Sequence, residues 1–214
     1  MSYCDNEQNN LDHLYGYRKS QVYCMCKPIS NIRKKTAQEL LELCKQTNRV
    51  PVDLKSILKQ LNISCLPYDF TELDNAFRNS DSSCVDNPIL GALVTNGDKA
   101  VILYRDKDLE DGHRYRFTIA HELAHACLEH YSISHKSVHL AFRHEKSENI
   151  RQEHEANVFA GELLIPQESL DHVLKQMFLP SVDYLADIFA VSKTVMHARL
   201  KQLNISKNII GYNC

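Results

Sequence analysis

The chain has 214 residues, a formal charge of -2 and a hydrophobic fraction of 43%. This excludes a disordered or low-complexity chain and suits one domain with a real core. A near-neutral charge gives no general attraction to nucleic acid or to an anionic membrane.

Apolar runs reach only about five residues, as at 100–104, against the roughly 20 a bilayer-spanning helix needs. Asp5 and Glu7 stand where a secretory signal would be basic and then apolar. The expectation is a cytoplasmic protein with no membrane partner. Its eight cysteines are scattered from Cys4 to Cys214, which fits reduced thiols better than a disulfide framework.

Residues 1–30 lack periodicity and read as an N-terminal arm of unknown role. From Asn31 the pattern turns helical, with Ile32, Ala37, Leu40, Leu41 and Cys44 at three-to-four spacing. A second helix is predicted over 53–61, with Asp53 as N-cap. Residues 62–68 read as a strand and the polar stretch to Asn87 as a loop. The apolar segments 89–95 and 99–104, separated by Asn96-Gly97-Asp98, predict a β-hairpin. Beyond Gly112, helices are expected near 114–129, 149–163, 167–177, 182–189 and 192–203. The fold class is α+β, mainly helical with a small antiparallel sheet.

Eight of the eleven histidines lie between His113 and His154. Within them His121-Glu122-Leu123-Ala124-His125 forms a HExxH motif. Apolar residues at 117, 120, 124, 127 and 128 place it on a helix, where a spacing of four puts His121 and His125 one turn apart on one face. Two imidazoles so placed can share one Zn²⁺, and Glu122 can act on a water without ligating. Five residues with three fixed positions also arise by chance. The apolar helix and the His-rich setting are what give the motif weight.

A catalytic zinc keeps three protein ligands and one open position. The third is sought in Glu153-His154-Glu155-Ala156-Asn157-Val158-Phe159-Ala160, on a second helix. Glu155, four before Phe159 and beside Ala156, is the expected ligand, with Glu153 and His154 as alternatives. His135 and His139 are also four apart, but Lys136 replaces the glutamate and the segment reads as loop. An oxyanion stabiliser is also needed. Tyr131, His130, His154 and Arg116 are the candidates, and spacing does not choose among them.

Residues 116–125, Arg-Phe-Thr-Ile-Ala-His-Glu-Leu-Ala-His, resemble the RFTLAHELGH segment of the ImmA/IrrE family of bacterial metallopeptidases. Residues 153–166 resemble its ExEANxFAxxLLMP segment, and 185–200 its LAxxFxVS…MxxRL ending. The likeness covers roughly residues 36–205. It implies a zinc endopeptidase with a gluzincin-like helical core. The expected organisation is a metallopeptidase domain (31–178) followed by a C-terminal helical unit (179–214) packed on or near it, whose two helices around Val191-Ser192 have a helix-turn-helix outline. It implies His121, His125 and Glu155 as ligands and Glu122 as catalytic base. The substrate it implies is a protein, typically a helix-turn-helix transcriptional repressor of a prophage, mobile element or stress response. Two departures stand out. Ala124 replaces the family's frequent Gly, and the arm is not covered; a thiolate from Cys24 or Cys26 in it could reach the zinc's open position and hold the enzyme latent.

Two rival readings remain at this level. One is a non-hydrolytic antirepressor retaining a zinc site. The other is a DNA-binding regulator using the tail. Over 181–207, Lys193, Arg199, Lys201 and Lys207 outweigh Asp183 and Asp187 by only two charges, a thin patch for phosphate contacts. An intact general base, Glu122, favours hydrolysis over a purely structural zinc.

Overall fold

The computed structural model describes residues 31–80, 88–96, 99–105, 113–130, 136–142, 150–205 and 209–212. Helix α1 spans Ala37–Leu43 and α2 spans Leu54–Leu61. Thr36 and Glu39 close a capping box on α1. The helix begins later than the apolar spacing suggested, because Lys34 takes a left-handed φ of 58° that a continuous right-handed helix cannot contain. Asp53 caps α2 by accepting from the Ser56 N–H, and left-handed Asn62 ends it.

Strand β1 (Ser64–Tyr68) is followed by α3 (Thr71–Ser80), where the polar composition predicts a loop. Asp69 accepts from the Thr71 N–H at 3.0 Å, and Glu72 and Asp74 sit in the first turn, where the helix dipole favours acids. Phe70 and Leu73 bury against Ile89 and Ala92. Asp74 also accepts from Arg105 at 2.6 Å and from the Ile89 N–H at 2.9 Å, so its charge ties the helix to the sheet.

Strands β2 (Ile89–Asn96) and β3 (Lys99–Arg105) pair antiparallel from Gly91↔Tyr104 to Asn96↔Lys99, as the hairpin signal predicted. After α4 (Arg114–Leu128), β4 (Lys136–Phe142) pairs antiparallel with β2. The segment around His139 is therefore strand rather than loop. The sheet order is β1-β3-β2-β4, and β1 pairs parallel with β3. The sheet is mixed, not antiparallel throughout: the chain leaves β1 through α3, and the hairpin returns β3 beside β1 in the same direction.

Helices α5 (Ile150–Leu164), α6 (Gln167–Lys175), α7 (Val182–Phe189) and α8 (Lys193–Gln202) complete the described chain. Helix α4 lies between α5 and the β2–β3 hairpin. Ala120, Ala124, Ala156 and Ala160 are fully buried in that layer, and their small size permits close helix approach at core density. Ala124 is accommodated within this core. Leu185, Phe189, Met196 and Leu200 belong to the same continuous apolar cluster, so α7 and α8 share the core with α4 and α5.

Ser181 and Ser192 cap α7 and α8, accepting from the Tyr184 and Val195 N–H groups. Arg199 is buried, donating to the Ile165 carbonyl at 3.1 Å, to Gln202 at 2.7 Å and to Glu162 at 3.4 Å. Lys193 pairs with Asp183 at 2.9 Å. Two of the tail's four basic residues are thus engaged within the chain. Cys44, Cys65 and Cys127 form no disulfide; burial pushes the Cys65 thiol up to about 12 and raises Cys44 and Cys127 as well. No described helix is long and apolar enough to cross a membrane. The arm, with Cys24 and Cys26, lies outside the described residues.

Candidate metal centre

Helix α4 carries His121, Glu122 and His125, all buried. His121 Nε2 lies 3.0 Å from His125 Nε2 and 3.1 Å from Glu153 Oε2, and His125 Nε2 lies 3.4 Å from Glu153 Oε1. Donors held at zinc distances around a tetrahedral centre stand about 3.3 Å apart. The spacing of these three groups fits such an ion, and their chemistry, two imidazoles and a carboxylate, fits Zn²⁺. Among the described residues, this is the group of His, Cys, Asp and Glu that could hold a metal.

The third member is Glu153, not Glu155. Two residues along a helix turn it by about 200°, so the two glutamates cannot both face one point. Glu153 heads the buried stripe that continues through Ala156, Ala160 and Leu163. Phe159, four residues beyond Glu155, lies at the margin of that stripe. Counting from Ala156 and Ala160, three and seven residues on, leads to Glu153.

Glu155 instead accepts from Arg151 Nε at 2.8 Å and lies 3.3 Å from His130 Nε2. The Arg151 guanidinium, and more weakly His130, hold its carboxyl below the usual range, so it is a carboxylate at neutral pH. His154 is exposed on α5 and is not brought to the centre.

His130 follows Glu129, which ends α4 in a left-handed conformation at φ 61°. Arg33 and Lys34 lie within ion-pair distance of Glu129, and the Lys34 N–H donates to the Cys127 carbonyl at 2.7 Å. The turn brings His130 back onto His125, with 3.1 Å between their Nδ1 atoms. His130 is thus engaged at both ring nitrogens rather than presented as an oxyanion donor.

Arg116 donates to the Ala190 carbonyl at 3.0 Å and the Val52 carbonyl at 2.8 Å. It sits about 180° around α4 from His125, and clamps this helix to the α7–α8 turn and the chain before α2. Tyr131 lies outside the described residues.

Sequence reasoning also passed over Asn157, whose Oδ1 lies 3.1 Å from His121 Nδ1. An Nδ1–H donated to this oxygen leaves the His121 lone pair on Nε2, facing Glu153. Asn157 is one turn beyond Glu153, a spacing that could have pointed to it.

Glu122 is fully buried. On the helix it lies about 100° from His121 and 60° from His125. Its other neighbour is β2. A Cβ built at Gly91 would meet Thr118 Cγ2 at 2.5 Å, the Leu103 carbonyl at 3.2 Å and Glu122 Oε1 at 3.3 Å. Only a residue without a side chain lets α4 lie this close to the strand. Gly91→Ala is therefore expected to displace the Thr118–Glu122 turn and cost about 1–3 kcal/mol, read as a lower urea midpoint. An unchanged midpoint would show that Thr118 yields freely.

The family model for the IrrE N-terminal-like domain, a peptidase family (M78), matches residues 78–201, more than half of the chain. The chain belongs to this family. No curated protein and no solved structure matches it. The matched span of the IrrE N-terminal-like domain runs from the end of α3 into α8 and includes every residue of the buried metal-holding group. A metallopeptidase-type function follows from that membership, together with a protein substrate.

Proposed function

We propose that the protein is a zinc-dependent endopeptidase that cuts a regulatory protein inside the cell, of the helix-turn-helix repressor type. The observation that carries this reading is the pairing of a metal-holding triad with an adjacent buried carboxylate. His121, His125 and Glu153 would hold the ion. When bound, zinc supplies Lewis acidity toward a peptide carbonyl and draws the pKa of a water it holds toward 7.

The chain's own residues do the rest. Glu122 takes the proton of the attacking water on its carboxylate and returns it to the leaving nitrogen. Asn157 aims the His121 ring. A structural zinc needs no such base, which favours hydrolysis over the binding-only reading. The repressor as substrate rests on the sequence resemblance. The engagement of Arg199 by Ile165 and Glu162 and of Lys193 by Asp183 leaves less charge for DNA, which favours a protein target.

The test is incubation of the zinc-loaded protein with helix-turn-helix repressors encoded beside its gene, read by mass spectrometry. One zinc per chain and a discrete new N-terminus, lost on chelation and restored by Zn²⁺, are expected. Repressor release without any cleavage, at full zinc occupancy, would replace hydrolysis with the antirepressor reading.

A further inference from the structure

Glu155 and His130 form a chain of contacts that ends on His125. Arg151 Nε donates to Glu155 Oε1 at 2.8 Å, Glu155 Oε2 faces His130 Nε2 at 3.3 Å, and His130 Nδ1 faces His125 Nδ1 at 3.1 Å. Exposure falls along it: the Glu155 side chain is 40% exposed, His130 6% and His125 0%. The contacts run from the surface of α5 to the floor of the metal centre.

Hydrogen-bond logic gives this chain a direction. A carboxylate only accepts, so the His130 nitrogen facing Glu155 carries the proton. In a neutral imidazole the other nitrogen then holds a lone pair, and that lone pair faces His125 Nδ1. His125 must therefore carry its proton on Nδ1, which leaves the Nε2 lone pair pointing at His121 and Glu153. This is the tautomer a metal ligand requires. The backbone reinforces it, since the His130 N–H also bonds the His125 carbonyl at 3.1 Å. His130 thus holds the same residue by main chain and by ring.

The geometry points to His130 and Glu155 as positioning residues for the metal centre, with Glu155 acting through His130 to fix the tautomer and aim of His125. The inference rests on the metal-centre reading above. It gives Glu155 a task that is neither ligation nor mere surface pairing. It also makes the two ligating histidines unequal: Asn157 orients His121 directly, whereas His125 is orientated by a second ring and an acid.

The test measures zinc affinity of the full chain by competition with a chromophoric chelator, together with the visible absorption spectrum of the Co²⁺-loaded protein. His130→Phe is expected to weaken zinc binding about 10- to 100-fold and to alter the Co²⁺ spectrum. His130→Asn, which keeps an acceptor near the Nδ1 position, should recover part of the loss. Glu155→Ala should weaken binding less, and the double variant His130→Phe/Glu155→Ala should bind no worse than His130→Phe alone.

Wild-type affinity in His130→Phe would overturn the proposal, as would losses that simply multiply in the double variant. Complete zinc loss in Glu155→Ala with His130→Phe unaffected would make Glu155 a ligand and overturn it too. Should His130→Phe fail to fold, Glu155→Ala, altered at a partly exposed site, decides on affinity and spectrum. Failure of the underlying metal-centre reading has a different signature: zinc would stay bound in Glu153→Ala and His121→Ala.

Discussion

Glu122→Gln is expected to reduce peptide hydrolysis by roughly 10²- to 10⁴-fold, the usual worth of a positioned general base, while one zinc per chain is retained. The substitution is isosteric, so the packing against Gly91 and Thr118 need not change. What it removes is the basic lone pair. The same change should leave stability unaltered or raise it, because a carboxylate at 0% exposure carries a larger desolvation cost than an amide in the same place. Lower turnover with equal or higher urea resistance would mark Glu122 as a residue kept for chemistry at the expense of the fold. Cleavage at the wild-type rate would remove it from the mechanism. Loss of zinc along with activity would show that the carboxylate serves the metal instead.

Much of the scaffold around Glu122 was legible because it rests on local chemistry. Helix α4, the β2–β3 hairpin and the serine-capped α7 and α8 depend on residues close in sequence. So does the placing of His121 and His125 on one face, since a separation of four is a property of the helix itself. What was not legible depended on partners distant in the chain. Helix α3 is polar in composition, and its burial rests on Phe70 and Leu73 meeting Ile89 and Ala92. Strand β4 gains its conformation from pairing with β2. The parallel β1–β3 ladder is a matter of topology. Arg116 looked available for catalysis because nothing local announces the Val52 and Ala190 carbonyls that engage it. The choice between Glu153 and Glu155 was a different failure. The Ala156–Ala160 spacing points to Glu153, whereas Phe159, at the edge of the stripe, points to Glu155.

That choice yields the sharpest quantitative contrast. Glu153→Ala is expected to weaken zinc binding by more than the ~10- to 100-fold that outer partners of a metal centre are worth, whereas Glu155→Ala stays within that range. Both glutamates lie near histidines on α4 or its C-terminal turn, so proximity alone does not separate them. Only Glu153 places both carboxylate oxygens within 3.4 Å of the Nε2 atoms of His121 and His125. The contrast should also appear in stability. A ligand that binds only the folded state stabilises by RT ln(1 + [L]/Kd), about 4 kcal/mol at a thousandfold excess over Kd. Wild type and Glu155→Ala should therefore melt at clearly higher temperature with excess zinc than without it. In Glu153→Ala the two melting curves should nearly coincide, because the remaining pair of histidines holds zinc too weakly to matter. The assignment of Glu153 fails if zinc raises its melting temperature as far as it raises the wild type's.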